Sequence, residues 1–477
     1  MATTCIRNAD WVVAWDAADA RHAYLTGADV AFTDGTLTFV GRGYTAPVDE
    51  TIDGRGLMVM PGLVDVHAHP MLEAAYRGIR EEHGLPEMYM SGLFERSQAY
   101  WPDDAGKLAC AEAAYCELLL SGVTTVADLS GIVPGWVELA ARSGLRVVLA
   151  PWFASARWVL RRGHLLEYEW NEDAGRQGLD EAVKLVDTLA DHPSGRLSGM
   201  VSPAQIDTCT EDLLRDAAAA ARERSLPFTV HCAQGVNEFY EMVRRHGITP
   251  VQWAHRLGLS GPGTVLAHAI FVDEHSWLHW WSRQDVSILA DTGTSVAHCP
   301  TPFARYGQTL ESFGKYRRAG VTLGIGTDTV PQNMLEEIRW ATVLGRIAAE
   351  DIRSLEMAEV FTAATVGGSR ILQRDDIGRL TPGAKADLVL VDLTNPWMMP
   401  ARDPLRSLVF HAADRAVRDV YVDGRRVVAN GRVRTLDHAD ALGRLAEAQR
   451  RMEAAVPQRD GRGRASTDIS PLSLPVR

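Results

Sequence analysis

The chain has 477 residues, which is too long for one small hydrophobic core and suits a large domain with a satellite. Its composition is that of an ordinary globular protein, and its formal net charge of −12, without a basic stripe, argues against a nucleic-acid partner. The sequence shows no signal peptide, no apolar run as long as a membrane span and no Cys-x-x-Cys pair, so we expect a reduced, cytoplasmic protein that does not bind membranes.

Short strand patterns occupy the two ends of the chain. Residues 11–15, 28–32 and 38–40 are separated by turns such as Asp34-Gly35. The β pattern returns at residues 387–392, and residues 417–422 and 426–428 flank Asp423-Gly424 as a hairpin. We therefore predict one small composite β-sandwich domain built from residues 1–60 and 379–435. Residues 436–477 are predicted to form an Ala-rich helix, over 436–456, followed by a flexible polar tail.

Between these ends, residues 61–378 alternate between strand and helix patterns. This alternation predicts an α/β protein with a (β/α)8, or TIM, barrel. In that fold the chemistry lies at the C-terminal ends of the strands. The eight candidate strands are 63–69, 123–128, 146–152, 197–202, 227–232, 264–269, 294–299 and 321–327.

Histidines and an aspartate follow the apolar runs of four of these strands. His67 and His69 are two residues apart on the first strand, so their side chains point the same way. His231 and His268 end the fifth and sixth strands, and Asp328 follows the eighth. For one such histidine alone a structural role is the more common alternative. Together, three neutral imidazoles and a carboxylate predict a site for zinc or a similar divalent ion, with an open position for water.

The motifs around these residues resemble the amidohydrolase superfamily. Residues 61–69 (PGLVDVHAH) resemble its first-strand motif, and residues 384–389 (AKADLV) resemble the flanking β domain. His298-Cys299-Pro300 and residues 326–329 (GTDT) are similar to the branch of cytosine, guanine, adenosine-type and triazine deaminases and chlorohydrolases. The resemblance covers nearly the whole chain except the C-terminal tail.

The resemblance implies a role for each residue of the set. His67, His69, His231 and Asp328 would hold one divalent ion, zinc, with iron or manganese as alternatives because their ligand preferences overlap. Asp328 would take a proton from a metal-activated water and pass it to the leaving group, and His268 would orient the water or the oxyanion. Binuclear members carry a lysine on strand four, which residues 197–208 lack, so we expect a single metal ion.

Two positions depart from the branch. Gln234 stands where its deaminases usually have a proton-shuttling glutamate, and an amide cannot titrate. Glu238, further along, is expected to face solvent on the following helix. Arg305 follows the seventh strand, where the branch often has Pro-x-Ser-Asn, and it could pair with an anionic or carbonyl-rich substrate. A surface arginine is an equally open alternative.

Other candidates for substrate contact lie at the same strand ends. Glu73 follows the first-strand histidines, Trp152 ends strand three and could stack on a planar ring, and His298 ends strand seven. Gln205 and Asp207 follow strand four, where the branch contacts its ring.

The sequence therefore predicts a metal-dependent hydrolase that attacks a trigonal carbon, with C–N bond cleavage as in deaminases, in a small cyclic nitrogen compound. Opening of an amide or cyclic amide and displacement of chloride remain alternatives on the same site. A lyase or isomerase, or a barrel that only binds its ligand, are further alternatives, because fold does not fix function. We expect small-molecule substrates as the only ligands besides metal, and a homodimer as the default assembly.

Overall fold

The computed structural model describes residues 2–80, 84–311 and 313–476, so Met1 and Arg477 of the predicted terminal segments lie outside the described residues. Within these ranges the eight expected parallel strands form two four-stranded sheets, with strands 1 to 4 in one and strands 5 to 8 in the other, each in chain order. The strands are Leu63–Ala68, Val123–Asp128, Arg146–Leu149, Leu197–Gly199, Phe228–Cys232, Thr264–His268, Ser295–His298 and Leu323–Ile325.

Backbone hydrogen bonds join the two sheets at both edges. Asp328 N donates to His67 O (2.8 Å), and His69 N donates to Asp328 O (3.2 Å). At the other edge Val201 N donates to Pro227 O and Thr229 N donates to Val201 O, both at 3.0 Å. The strands are almost wholly buried, as expected of parallel strands that are covered on both faces.

Helices follow the strands, which confirms the predicted α/β alternation. Several begin where a polar side chain caps the first turn: Asp103 accepts from Gly106 N, Thr210 from Leu213 N and Asn333 from Glu336 N. The main helices of this region are Ser91–Ala99, Asp104–Leu120, Trp136–Ser143, Glu172–Asp187, Glu211–Glu223, Val236–His246, Pro250–Arg256, Asp285–Thr292, Pro300–Arg305, Phe313–Ala319, Met334–Ala348 and Met357–Thr362.

Strands from both chain ends share one sheet. Leu388–Asp392 runs antiparallel to Leu57–Pro61, the strand directly before strand 1, and pairs Leu388 with Pro61. The Arg146 guanidinium, on strand 3, donates to both carboxylate oxygens of Asp387 at 3.1 Å, so a buried ion pair ties this sheet to the parallel strands. In the described part of the chain the sheet contains nine strands: Thr3–Asp16, Arg21–Thr33, Thr36–Gly41, Glu50–Asp53, Leu57–Pro61, Leu388–Asp392, Val417–Val422, Arg425–Ala429 and Arg432–Val433.

The C-terminal segment contains more helix than the sequence predicts. The predicted helix is present as His438–Ala454, and two short helices, Val456–Arg459 and Ser466–Ile469, follow it. Arg464 Nη2 donates to Glu95 Oε1 (2.7 Å), and Tyr100 Oη donates to Ser466 O (3.2 Å). The tail thus has hydrogen-bond partners in the segment after strand 1, which composition alone does not show.

The six cysteines, which all fall in the described ranges, are buried free thiols. None of the helices in the part of the chain that the structure describes combines the length and the apolar composition needed to cross a bilayer.

Candidate metal centre and substrate cavity

The C-terminal ends of strands 1, 5, 6 and 8 bring five polar side chains together. A Cβ atom at Gly326 would lie 2.7 Å from both Cβ and O of His67, so only glycine lets strand 8 approach strand 1 this closely. Asp328 and His268 have left-handed backbone conformations, with φ of 57° and 78°. Such strained conformations persist where the surrounding structure enforces them, which is typical of functional sites.

The polar atoms of the set lie within ligand distance of one another. His69 Nε2 lies 3.2 Å from His231 Nε2 and 3.3 Å from Asp328 Oδ1, and His67 Nε2 lies 3.6 Å from the same oxygen. One ring nitrogen from each of His67, His231 and His268 falls within a span of 4.8 Å. These distances allow one ion to contact several of the side chains at once.

The hydrogen bonds of the ring nitrogens indicate that a cation belongs between them. His69 Nδ1 lies 2.9 Å from Leu129 O, and His231 Nδ1 lies 2.5 Å from Ala204 O. A carbonyl oxygen can only accept, so both Nδ1 atoms carry a hydrogen, and in the neutral rings that bind metals both Nε2 atoms present lone pairs. Two lone pairs 3.2 Å apart beside a carboxylate repel each other unless a positive charge lies between them. The nitrogen and oxygen donor set therefore fits a divalent metal ion.

Burial sets the charge of these groups. It lowers the pKa of His67 and of His231, and it lowers the pKa of His268 to about 3, so the imidazoles are neutral, as metal binding requires. Burial alone would raise the pKa of Asp328, but at acid pH the neighbouring imidazoles of His67 and His268 favour its ionised form more strongly and hold this pKa well below its usual range. The carboxylate is therefore ionised beside neutral imidazoles.

A second carboxyl supports the metal centre from behind. Asp65 Oδ1 accepts from His67 N (3.1 Å) and Thr327 N (3.2 Å), and Asp65 Oδ2 accepts from Thr327 Oγ1 (2.6 Å). Asp65 is wholly buried, and burial raises its pKa to about 7. The sequence analysis missed this residue, although strand periodicity places it on the same face as His67 and His69.

A cavity of about 420 Å³ opens above the centre, with His69, His231, His268 and Asp328 at its floor. Four predicted residues line this cavity, namely Glu73, Trp152, Gln205 and Gln234.

Two other predicted residues do not reach the cavity. His298 is buried, and its ring packs 5.7 Å from that of Phe313. Arg305 donates from Nη2 to Val330 O (2.6 Å) and lines a neighbouring cleft. Neither residue is among those that line the cavity, so the structure gives no support for the predicted substrate contacts of His298 and Arg305.

Gln234 is held from both sides. Its Nε2 donates to Gln205 Oε1 (2.6 Å), and its backbone N donates to Glu238 Oε2 (2.9 Å). The expectation that Glu238 faces solvent is wrong: its carboxyl is buried, and it also accepts from Ala233 N at 2.6 Å. Glu238 lies in the first turn of Val236–His246 and turns back over the preceding loop, so burial raises its pKa well above the usual range.

Phe303, Arg96 and Trp158 are among the cavity residues that were not predicted from the sequence. Phe303 packs its ring 4.6 Å from the His268 ring, and its place just after strand 7 could have pointed to it. Arg96 and Trp158 line the cavity from segments inserted after strands 1 and 3. The strand and helix pattern gives no signal for these two, because nothing in an insertion's own sequence shows where it folds.

The parallel α/β strands and the histidine-rich floor of this cavity define a metal-dependent hydrolase. Residues 58–427 match the model of the Amidohydrolase family, and the chain belongs to that family, as the sequence motifs predicted.

Curated relatives agree with this assignment. The chain is 30% identical to a 5-methylthioadenosine/S-adenosylhomocysteine deaminase of Natronomonas pharaonis over 425 residues. This alignment covers 88% of this chain and 92% of the relative. It is 28% identical to a 5'-deoxyadenosine deaminase of Methanosarcina mazei over 434 residues, and this alignment covers 90% of this chain and 93% of the relative. The protein is thus a hydrolase acting on carbon–nitrogen bonds other than peptide bonds, in a small cyclic substrate, as predicted.

Solved structures share the fold. Atrazine chlorohydrolase from Arthrobacter aurescens, complexed with zinc, superposes with a TM-score of 0.80 at 23% identity and covers 94% of this chain and 100% of its own. An adenosine deaminase from Xanthomonas campestris with bound zinc gives a TM-score of 0.78 at 23% identity and covers 95% of this chain and 99% of its own. These similarities place the chain among proteins with a TIM-barrel fold.

Proposed function

We propose that the protein removes an amino group by hydrolysis from a ring carbon of an aminated nitrogen heterocycle, with a substituted purine nucleoside as the substrate class. The names of the curated relatives support the choice of purine nucleosides. The observation that carries the proposal is the pair of Nε2 lone pairs, on His69 and His231, which face each other 3.2 Å apart at the floor of a cavity that fits a small molecule.

The metal site has a defined set of proposed ligands. His67, His69, His231 and Asp328 would hold a single zinc ion, with iron and manganese as the alternatives. The ion would supply Lewis acidity, which makes hydroxide available from water at neutral pH. Support for one ion rather than two comes from the absence of lysine in residues 197–208 of the sequence.

The side chains around the metal site divide proton transfer and hydrogen bonding between them. The ionised Asp328 accepts a proton from the attacking water and donates it to the leaving amine, so ammonia departs as the ring gains a hydroxyl. Neutral His268 hydrogen-bonds the water or the developing oxyanion. Gln234 and Gln205 take no proton and can only hold the ring through hydrogen bonds.

Ammonia release measures this activity directly. The enzyme should release ammonia from 5'-methylthioadenosine, S-adenosylhomocysteine or adenosine, and His69→Ala should abolish both turnover and bound zinc. His255→Ala is a matched control, because His255 is an exposed residue of the helix Pro250–Arg256. Full activity in protein shown by elemental analysis to be free of metal would overturn the proposal.

Gln234 favours a second candidate, displacement of a leaving group that needs no proton, such as chloride. Comparison of chloride release from chloro-s-triazines with ammonia release from nucleosides separates the two reactions. Under the first candidate Gln234→Glu should raise deamination, because it adds a titratable group beside His231. Chloride release without any ammonia release would select the second candidate.

The organisation of the chain is also part of the proposal. The hydrogen bonds between the two four-stranded sheets support one closed barrel over residues 61–378, beside a composite β-sandwich domain from residues 1–60 and 379–435. Buried free thiols support a cytoplasmic location. The exposed rings of Trp277 and Trp281, 48% and 78% accessible, support a homodimer, which analytical ultracentrifugation tests.

A further inference from the structure

An antiparallel hairpin after strand 3 forms one wall of the substrate cavity. Its strands are Ala156–Arg162 and Leu165–Trp170, and Trp158 pairs with Tyr168 directly across it. Ala156, Arg157 and Trp158 line the cavity, whereas Tyr168 is not among the lining residues. The hairpin therefore lines the cavity through its first strand, and its second strand lies behind it.

One carboxylate oxygen holds both strands of this hairpin. Asp207 Oδ2 accepts from Trp158 Nε1 (2.9 Å) and from Tyr168 Oη (2.7 Å). Asp207 is wholly buried, and its Oδ1 has no hydrogen-bond partner within the described ranges. Because Trp158 and Tyr168 are opposite each other, the two hydrogen bonds fix the position of the whole hairpin and not of one strand only.

The same aspartate is tied to the neighbouring loops. Arg245 Nη1 donates to Asp207 O (2.6 Å), while its guanidinium lies 4.3 Å from the Tyr168 ring centroid and 5.1 Å from that of Trp170. Asp207 follows Gln205 by two residues, and Gln205 contacts Gln234 beside the metal centre. The segment after strand 4 therefore couples the hairpin wall to the floor of the cavity.

The hairpin also packs against the helix that forms another wall of the cavity. The Trp158 ring packs edge-on against Phe94 at 4.9 Å, and Leu160 N donates to Gln98 Oε1 (2.9 Å). Phe94 and Gln98 lie on the helix Ser91–Ala99, which contributes Leu93, Arg96, Ser97 and Gln98 to the cavity lining. A shift of the hairpin would therefore alter the shape of the cavity on both sides.

We propose that Asp207 is a positioning residue that fixes the hairpin as the cavity wall and thereby sets the affinity for the part of the substrate remote from the reacting ring carbon. The proposal rests on the function proposed above. The hairpin contributes nothing to the set of metal ligands, so its displacement should weaken binding of the remote substituent and leave the chemical step unchanged.

Tyr168→Phe is the sharpest test, because it removes one hydrogen bond to Asp207 from a residue that does not line the cavity. We expect KM for 5'-methylthioadenosine to rise roughly 10- to 100-fold, which is the effect of losing one hydrogen bond to a charged group, with kcat unchanged. Binding of adenine, which lacks the remote substituent, should change less than twofold. Tyr240→Phe is the matched control, since Tyr240 is exposed and its hydroxyl makes no hydrogen bond within the described ranges.

Hydrogen exchange of the backbone amides of residues 156–170 is the second measurement, and it needs no substrate. Exchange should accelerate in Tyr168→Phe and in Asp207→Ala, which removes the acceptor, but not in Tyr240→Phe. Unchanged exchange in Tyr168→Phe, or equal losses of affinity for both probes, would overturn the proposal. If the wild-type protein binds neither probe, the proposed function fails, while the exchange rates still decide whether Asp207 positions the hairpin.

Discussion

Replacement of Asp65 tests how far the metal centre depends on the carboxyl that joins strands 1 and 8. Asp65→Ala leaves the N–H groups of His67 and Thr327 buried without their acceptor. The Thr327 hydroxyl keeps a partner, because Gln332 Oε1 lies 2.7 Å away. Each orphaned buried N–H costs about 1–3 kcal/mol, so we expect Asp65→Ala to lower the free energy of unfolding by about 2–6 kcal/mol.

Asp65→Asn is the matched variant and should be much milder. Its amide oxygen can still accept from both N–H groups, and its amide nitrogen can donate to Thr327 Oγ1. Thr327 then donates its own proton to Gln332 Oε1, whose orientation is fixed because Gln332 Nε2 donates to Thr329 O (3.2 Å). Since no buried group loses its partner, we expect this variant to lose about 1 kcal/mol or less.

Two assays separate the variants. Urea denaturation of the metal-free protein gives the free energy of unfolding, and competition with a chelator gives the zinc affinity. Asp65→Ala should bind zinc about 10- to 100-fold more weakly, because the backbone of His67 is no longer held, whereas Asp65→Asn should stay close to the wild type. The reasoning fails if the two variants are equally damaged, or if Asp65→Ala keeps both its stability and its zinc affinity.

Three further outcomes follow from other contacts. A chelator should abolish turnover and added zinc should restore it; metal-independent turnover would contradict this. Burial, helped by the charge of Arg379, lowers the pKa of His22 to about 4 from its ordinary 6.5, so the unfolded state binds more protons and stability falls as pH drops through this window. Denaturation curves at pH 7 and 4.5 measure this loss of stability, and in His22→Phe the loss should be smaller by up to about 3 kcal/mol. An equal loss in the variant and in the wild type would refute the assignment to His22. Arg464→Met leaves the buried Glu95 without its guanidinium partner, so unfolding curves should show a loss of about 2–3 kcal/mol.

The parallel strands and their polar ends were predictable because each is encoded locally. An apolar run that ends in histidine or aspartate specifies both a buried strand and a side chain at its C-terminal end, as residues 63–69 and 264–268 show. Barrel topology then brings such ends together without further information. The direction of Glu238 was not predictable in the same way, since its burial depends on the path of the loop before it.

The cavity walls depend on contacts between segments that are distant in the sequence. Trp158 and Tyr168 acquire their positions from Asp207, about 40 to 50 residues further along the chain, and no periodic pattern records that pairing. The chemistry is therefore easier to infer from the sequence than the substrate, because the proposed metal ligands lie at the ends of strands while the cavity walls lie on insertions. It also follows that substitutions in the hairpin can change which substrates are accepted while the proposed metal ligands and the proposed proton acceptor stay in place.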